Sequence, residues 1–224
     1  MSQSLSRDIP VVPDETALLY IDVQNYCCRR DGGEFSHHTE TTLEMECGYY
    51  FRQLEGSAVP NMQYLQRVCR DAGVEVMYTV IESLTRDGRD RSLDYKITGF
   101  NVPRGSWDGQ VLEAIAPAGD EIVIPKTASS VFNATNIEYV LRNLGVRFLI
   151  LCGVLTDQCV ESAVRDACDR GFLVTLVTDA CTTYTLERHE ASLRAIKGYC
   201  RQRRTGELVA ELAGAPRNAA NPHA

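Results

Sequence analysis

The chain has 224 residues, a formal net charge of -7 and ordinary apolar and charged fractions of 44% and 24%, which suits one sizeable core in a single α/β domain better than two domains. The negative balance, with no long basic run, argues against nucleic acid or an anionic membrane as partner. The longest apolar run, Phe148 to Leu155, is too short to cross a bilayer.

The opening stretch, MSQSLSRDIPVVPDE, has no apolar segment of signal-peptide type, so residues 1–14 are expected as an extension of a domain spanning 15–212. Nine cysteines, odd in number and irregular in spacing, point to a reduced cytoplasmic protein rather than a disulfide framework. The first predicted strand is ALLYID (17–22), ending in Asp22 with Gln24 and Asn25 just beyond. Residues 27–59 then break the rhythm, with helix expected over about 39–55. A long insertion after a strand's C-terminal end is where binding sites often form. Met62, Leu65, Cys69 and Ala72 form a helical stripe with Pro60 near its start and Gly73 past its end. The second strand, VEVMYTVIE (74–82), ends in Glu82 and is followed by the polar loop TRDGRDRSLDYK. A weaker helix is expected over 108–116, then a third strand, EIVIPK (121–126), ending in Lys126. Ile137, Val140, Leu141 and Leu144 mark a helix stopped at Gly145. The strand RFLILCG (147–153) leads through Thr156 to Cys159 and a helix carrying Val160, Ala163, Val164 and Ala167, stopped at Gly171. FLVTLVTDA (172–180) and a helix through Leu186, His189, Leu193 and Ile196 follow, with a weakly signalled sixth strand at 199–203 and a flexible tail at 213–224. Short runs apolar on both faces, alternating with amphipathic helices, give a doubly wound three-layer α/β sandwich with a mainly parallel central sheet of five or six strands.

In such sheets ligands bind beyond the C-terminal ends of the strands. The first turn there, DVQNYCC, has no glycine, and no Walker A motif occurs, so backbone cannot approach a pyrophosphate in the dinucleotide manner. Asp22, Lys126 and Cys159 at the strand tips make a coherent set. Thr156 is a good N-cap and would put Cys159 in a first helical turn, where the helix dipole and a nearby lysine both favour thiolate. An aspartate in reach can take the thiol proton and return it to a leaving amine, and N–H groups around residues 155–159 can hold an oxyanion. Taken alone, a buried cysteine is ordinarily core, and Cys152 and Cys168 are read so. Packing is also the first reading for Cys27, Cys28, Cys181 and His189, and a solvated loop for His37–His38. Tyr26, Phe35, Phe132 and Tyr184 are candidates for an aromatic pocket wall, and Arg86, Arg91 or Lys96 for holding a substrate carboxylate.

The stretches IDVQN, GSWDGQV, PKTASSVFNATNIEYVLRNLGV and GVLTDQCVESAVRDACDRG resemble the isochorismatase-like cysteine hydrolase superfamily, over about Ala17 to Lys197. Gly-Val-x-Thr-Asp-x-Cys-Val is the most specific of them, and the whole looks closest to ureidoacrylate amidohydrolases and biuret hydrolases. The resemblance implies a metal-independent amidohydrolase, without cofactor, that opens a small ureido or carbamoyl compound through a cysteine-linked acyl intermediate. It implies Cys159 as nucleophile, Asp22 as general acid/base and Lys126 as electrostatic support. It also implies a cis peptide at Val154–Leu155, an oxyanion hole from the N–H groups of Leu155 and Cys159, and a homodimer or homotetramer. Gln24, Tyr26, Phe35, Glu82 and Phe132 are the expected substrate-binding residues. Nicotinamidases of the superfamily carry an Asp-x-His metal motif after the second strand; VIESLTRDGRD has no histidine, so no catalytic metal is expected. Glu82 stands where ureidoacrylate enzymes carry a neutral amide, which favours a substrate rich in N–H donors. The alternatives are another small-amide hydrolase of nicotinamidase or N-carbamoyl amidase type, an isochorismatase-type hydrolase, or a non-catalytic thiol-based binding or redox-sensing module.

Overall fold

The structure, a computed structural model, describes residues 6–214. Six strands, β1 (Thr16–Ile21), β2 (Glu75–Ile81), β3 (Ile122–Lys126), β4 (Phe148–Val154), β5 (Leu173–Thr182) and β6 (Arg201–Arg203), form one sheet in the order β3-β2-β1-β4-β5-β6. Every pairing is parallel. The middle strands, β1 and β4, are buried along their whole length, which is why both read as unbroken apolar runs.

Among the described residues, nine helices accompany the strands: α1 (Asn25–Cys28), α2 (Glu40–Gln53), α3 (Val59–Asp71), α4 (Leu93–Thr98), α5 (Val131–Ala134), α6 (Ile137–Asn143), α7 (Glu161–Asp169), α8 (Leu186–Ile196) and α9 (Thr205–Gly214). Helix α3 buries Met62, Leu65 and Cys69, and packs beside α9; α7 buries Ala163, Val164 and Ala167, and packs against α5 and α8. Helix α2 starts at Thr39, whose hydroxyl accepts the Thr42 N–H in a capping box.

Two expectations need correction. The weak helix over 108–116 is two single turns, Trp107–Gly109 and Glu113–Ile115, separated by an extended Gln110. The chain there pairs with the end of β1 instead: Asn25 N–H donates to Gln110 O at 2.9 Å and Leu112 N–H to Val23 O at 3.0 Å. The second is at the C-terminus, where Ala213 and Gly214, expected in the flexible tail, close α9, whose Leu208 and Leu212 are buried; the rest of that tail lies outside the described residues. Within residues 6–14, Val11 and Pro13 are buried, and the Val11 N–H donates to Glu211 Oε1 at 2.9 Å.

The chain leaves β1 toward β2 on one side and β4 toward β5 on the other, so a crevice opens between their C-terminal ends. Gly153 sits there opposite Ile21 with φ 130°, and a Cβ on it would lie 2.2 Å from Ile21 O. Only glycine permits that approach.

Candidate active site

Asp22 follows the last residue of β1 with φ 56°, a left-handed conformation that aspartate tolerates better than most residues. Its N–H donates to Thr79 O at 3.1 Å, and the Thr79 hydroxyl donates to Asp22 Oδ1 at 2.9 Å. The other oxygen, Oδ2, lies 2.8 Å from Lys126 Nζ. Lys126 ends β3, two strands away, and its stem runs past the tip of β2. Its ammonium is fully buried and also donates to Tyr95 OH at 3.0 Å, Ala128 O at 2.9 Å and Cys159 Sγ at 3.4 Å. A buried ammonium survives only when its donors and its charge are both met. Burial lowers the Lys126 pKa, but Asp22, Cys159 and Tyr95 outweigh it and hold the group well above the ordinary lysine value.

Cys159 lies in a wide turn, Thr156–Val160, that runs straight into α7. The resemblance placed a cis peptide at Val154–Leu155, and the peptide is cis. Thr156 is not the N-cap: its hydroxyl meets His189 Nδ1 at 2.9 Å, and its carbonyl accepts from Ser192 Oγ at 3.2 Å, so the turn is tied to α8. Burial depresses the His189 imidazole below its ordinary value. Lys126 favours thiolate as expected, but burial outweighs it. Burial pushes the Cys159 thiol up to about 12; Lys126 acts against this, and Asp22 adds to it. Cys159 therefore rests as a protonated thiol beside a carboxylate.

The expected substrate-binding residues divide. Tyr26 and Phe35 line a cavity of about 500 Å³ together with Glu34, His38, Phe100 and Tyr184. Gln24 does not face it. Its Oε1 accepts the Ile81 N–H at 2.5 Å, while Nε2 donates to Ile81 O at 2.9 Å and Asp108 O at 3.0 Å, so it locks the tip of β1 to β2. Glu82 accepts the Gly105 N–H at 2.9 Å and organises that loop. Phe132 packs on Phe172, ring centroids 6.0 Å apart, where the chain enters β5 at the end of the sheet away from Asp22, Lys126 and Cys159. Arg91 is bound to the carbonyls of Gly88 and Phe100 at 2.8 and 2.6 Å. Three residues were missed: Thr79, Tyr95 and Glu34. Tyr95 was hidden in a loop read as polar, yet it is 1% exposed. Among the described residues, no group of three or more His, Cys, Asp or Glu side chains is arranged around a possible metal position, and no helix is long and apolar enough to cross a membrane.

The fold is a doubly wound α/β sheet whose strand tips gather a thiol, a carboxylate and an ammonium. The Isochorismatase domain profile matches residues 16–207, and the chain belongs to that family. Among curated relatives, ureidoacrylate amidohydrolase RutB of Rhizobium rhizogenes is 26% identical over 219 residues, covering 86% of this chain and 85% of that protein. Nicotinamidase 3 of Arabidopsis thaliana is 31% identical over 67% of this chain and 77% of its own length. A solved cysteine hydrolase from Pseudomonas syringae pv. phaseolicola superposes with a TM-score of 0.77 at 24% identity, covering 96% of this chain and all of that one, which shows the shared fold.

Proposed function

We propose that the protein is a cysteine amidohydrolase that cleaves a C–N bond of a small ureido or carbamoyl compound, ureidoacrylate- or biuret-like, through an acyl group carried on Cys159. One observation carries the reading: Lys126 Nζ sits 2.8 Å from Asp22 Oδ2 and 3.4 Å from Cys159 Sγ, all three groups buried at the strand tips.

Because the thiol rests protonated, attack and proton transfer are coupled. Cys159 sulfur bonds to the carbonyl carbon as its proton passes to Asp22, and the N–H groups of Leu155 and Cys159 hold the oxyanion. Lys126 stays charged throughout and offsets negative charge wherever it sits, on carboxylate or on sulfur. The C–N bond then breaks, Asp22 gives the proton to the departing nitrogen, and ammonia or an amine leaves. A water attacks the thioester-type carbonyl and gives a proton to Asp22. The C–S bond breaks and the sulfur recovers that proton. Every proton moves between protein groups and reactants, so the sequence needs no metal.

The test is ammonia release from a panel of ureides and nicotinamide and pyruvate release from isochorismate, with a mass search for an acyl adduct on Cys159. Turnover of a ureide with such an adduct is the expected result. Hydrolysis of none of them, or full activity in Cys159→Ala, would end the proposal. The cysteines of the described structure are all unpaired, which supports a reducing, cytoplasmic setting. A homodimer or homotetramer is proposed with it, on the resemblance, and sedimentation reads it directly.

A further inference from the structure

Behind the triad lies the cavity of about 500 Å³ walled by Tyr26, Glu34, Phe35, His38, Phe100 and Tyr184. Its walls connect to Lys126 and Asp22 through one or two intervening side chains. Phe100 packs on both Tyr26 and Tyr95, at 5.8 and 5.4 Å between ring centroids, and Tyr95 holds Lys126. On the other side Tyr184 packs on Tyr50, whose hydroxyl donates to Cys27 O, and the Cys27 thiol donates to Asp22 O at 3.0 Å. One side chain, Tyr95, thus stands between Lys126 and the cavity wall, and two, Cys27 and Tyr50, stand between Asp22 and it.

The polar groups on those walls have one character. The Glu34 carboxylate accepts the Tyr184 hydroxyl and takes no other hydrogen bond among the described residues. His38 Nε2 lies 3.2 Å from Glu46 Oε2. An ionised carboxylate only accepts, so that nitrogen carries the hydrogen, and in the neutral ring Nδ1 is the acceptor. Nδ1 is buried and has no hydrogen-bond partner among the described residues. An unmet buried acceptor calls for a donor. No lysine or arginine lines the cavity among the described residues.

Resting on the amidohydrolase reading, we propose that Glu34, with His38 Nδ1, selects substrates whose far end carries N–H donors, such as a second carbamoyl or an amino group, and rejects those ending in a carboxylate. A carboxylate there meets two acceptors and the negative charges of Glu34 and Glu46, with no cation to pair it. The substrate class narrows from ureides in general to neutral or cationic ones, away from ureidoacrylate. Burial raises the Glu34 carboxyl to about 7, the Asp22 charge adds to this, and Tyr184 and His38 act against it, so its charge changes near neutrality. The titratable groups around it are Tyr26, His37, His38, Glu46, Cys47 and Tyr184, with Asp22, Cys27 and Tyr50 behind them.

Calorimetric binding to the full-length Cys159→Ser chain tests this without requiring turnover. The probes are 3-ureidopropionamide and 3-ureidopropionate, which differ only in the far group. The amide is expected to bind about tenfold tighter or more, since like charges in a closed site repel strongly. That ratio should grow between about pH 6 and about pH 8 as Glu34 ionises, and it should shrink several-fold, to roughly a third or less, when Glu34→Gln is added. Equal binding, preference for the carboxylate, binding of neither probe, or a ratio unmoved by both pH and Glu34→Gln would overturn it. The pH arm needs no change at residue 34, so misfolding of that variant leaves the test intact. If the probes bind as expected but the unsubstituted protein hydrolyses no amide, the amidohydrolase reading fails and the selectivity of the cavity stands.

Discussion

Replacing Lys126 by methionine keeps the length of the side chain and removes its charge. The ammonium lies 3.4 Å from the Cys159 sulfur, and two unit charges at that distance interact by about 5 kcal/mol at an effective dielectric of roughly 20. That is three to four powers of ten, roughly, in the accessibility of thiolate. The contact with Asp22, at 2.8 Å, is worth about 6 kcal/mol on the same footing. Because burial already holds the thiol at about 12, no slack exists to absorb the loss. Lys126→Met is expected to lower kcat by about a thousandfold and to slow iodoacetamide alkylation of Cys159, located by mass mapping, by a comparable factor. It also strands the Asp22 carboxylate in a site that is 1% exposed, a situation that costs about 3–5 kcal/mol. Adding Asp22→Asn should restore thermal stability without restoring turnover. A folded Lys126→Met protein with kcat within about tenfold of the parent would refute this electrostatic account.

Other outcomes follow from single contacts. Cys159→Ala should abolish turnover and the acyl adduct while the melting temperature stays within a few degrees of the parent's, checked by activity and calorimetry. Thr79→Val removes the 2.9 Å bond to Asp22 Oδ1; since a hydrogen bond to a charged group is worth about 1.5–3 kcal/mol, kcat should fall about tenfold or more with KM little changed, as steady-state kinetics will show. Gln24→Leu leaves the Ile81 N–H and two carbonyls unmatched, and denaturant unfolding should register a loss of about 2–4 kcal/mol. Glu34 has its folded pKa raised, from 4.5 to about 7, so its stabilising effect is complete below 4.5 and disappears as pH rises through about 7. Stability should therefore fall across that window, by at most about 3 kcal/mol, and Glu34→Gln should flatten the fall in pH-dependent melting.

The strands and most helices were legible in the sequence because their signal is local. Ala17 to Ile21 and Phe148 to Leu151 are apolar without interruption and fill the two central strands; Met62, Leu65 and Cys69 repeat at helical spacing and are buried. Asp22, Lys126 and Cys159 could be named because a parallel sheet sends its strand ends to one edge, and the structure draws those three together there. The pairing that turns residues 107–115 away from a helix depends on Gln110 and Leu112 meeting Asn25 and Val23, partners far off in the chain. The same holds for Gln24, whose amide faces backbone rather than a ligand, and for Phe132, turned toward Phe172. Residue type and spacing therefore determined which groups exist and at which end of the sheet they emerge. Burial, which raises the Cys159 thiol, and the closure of Glu34 and His38 around one cavity were decided only by the tertiary structure, because solvent exclusion is set by atoms that are neighbours in space and not in sequence.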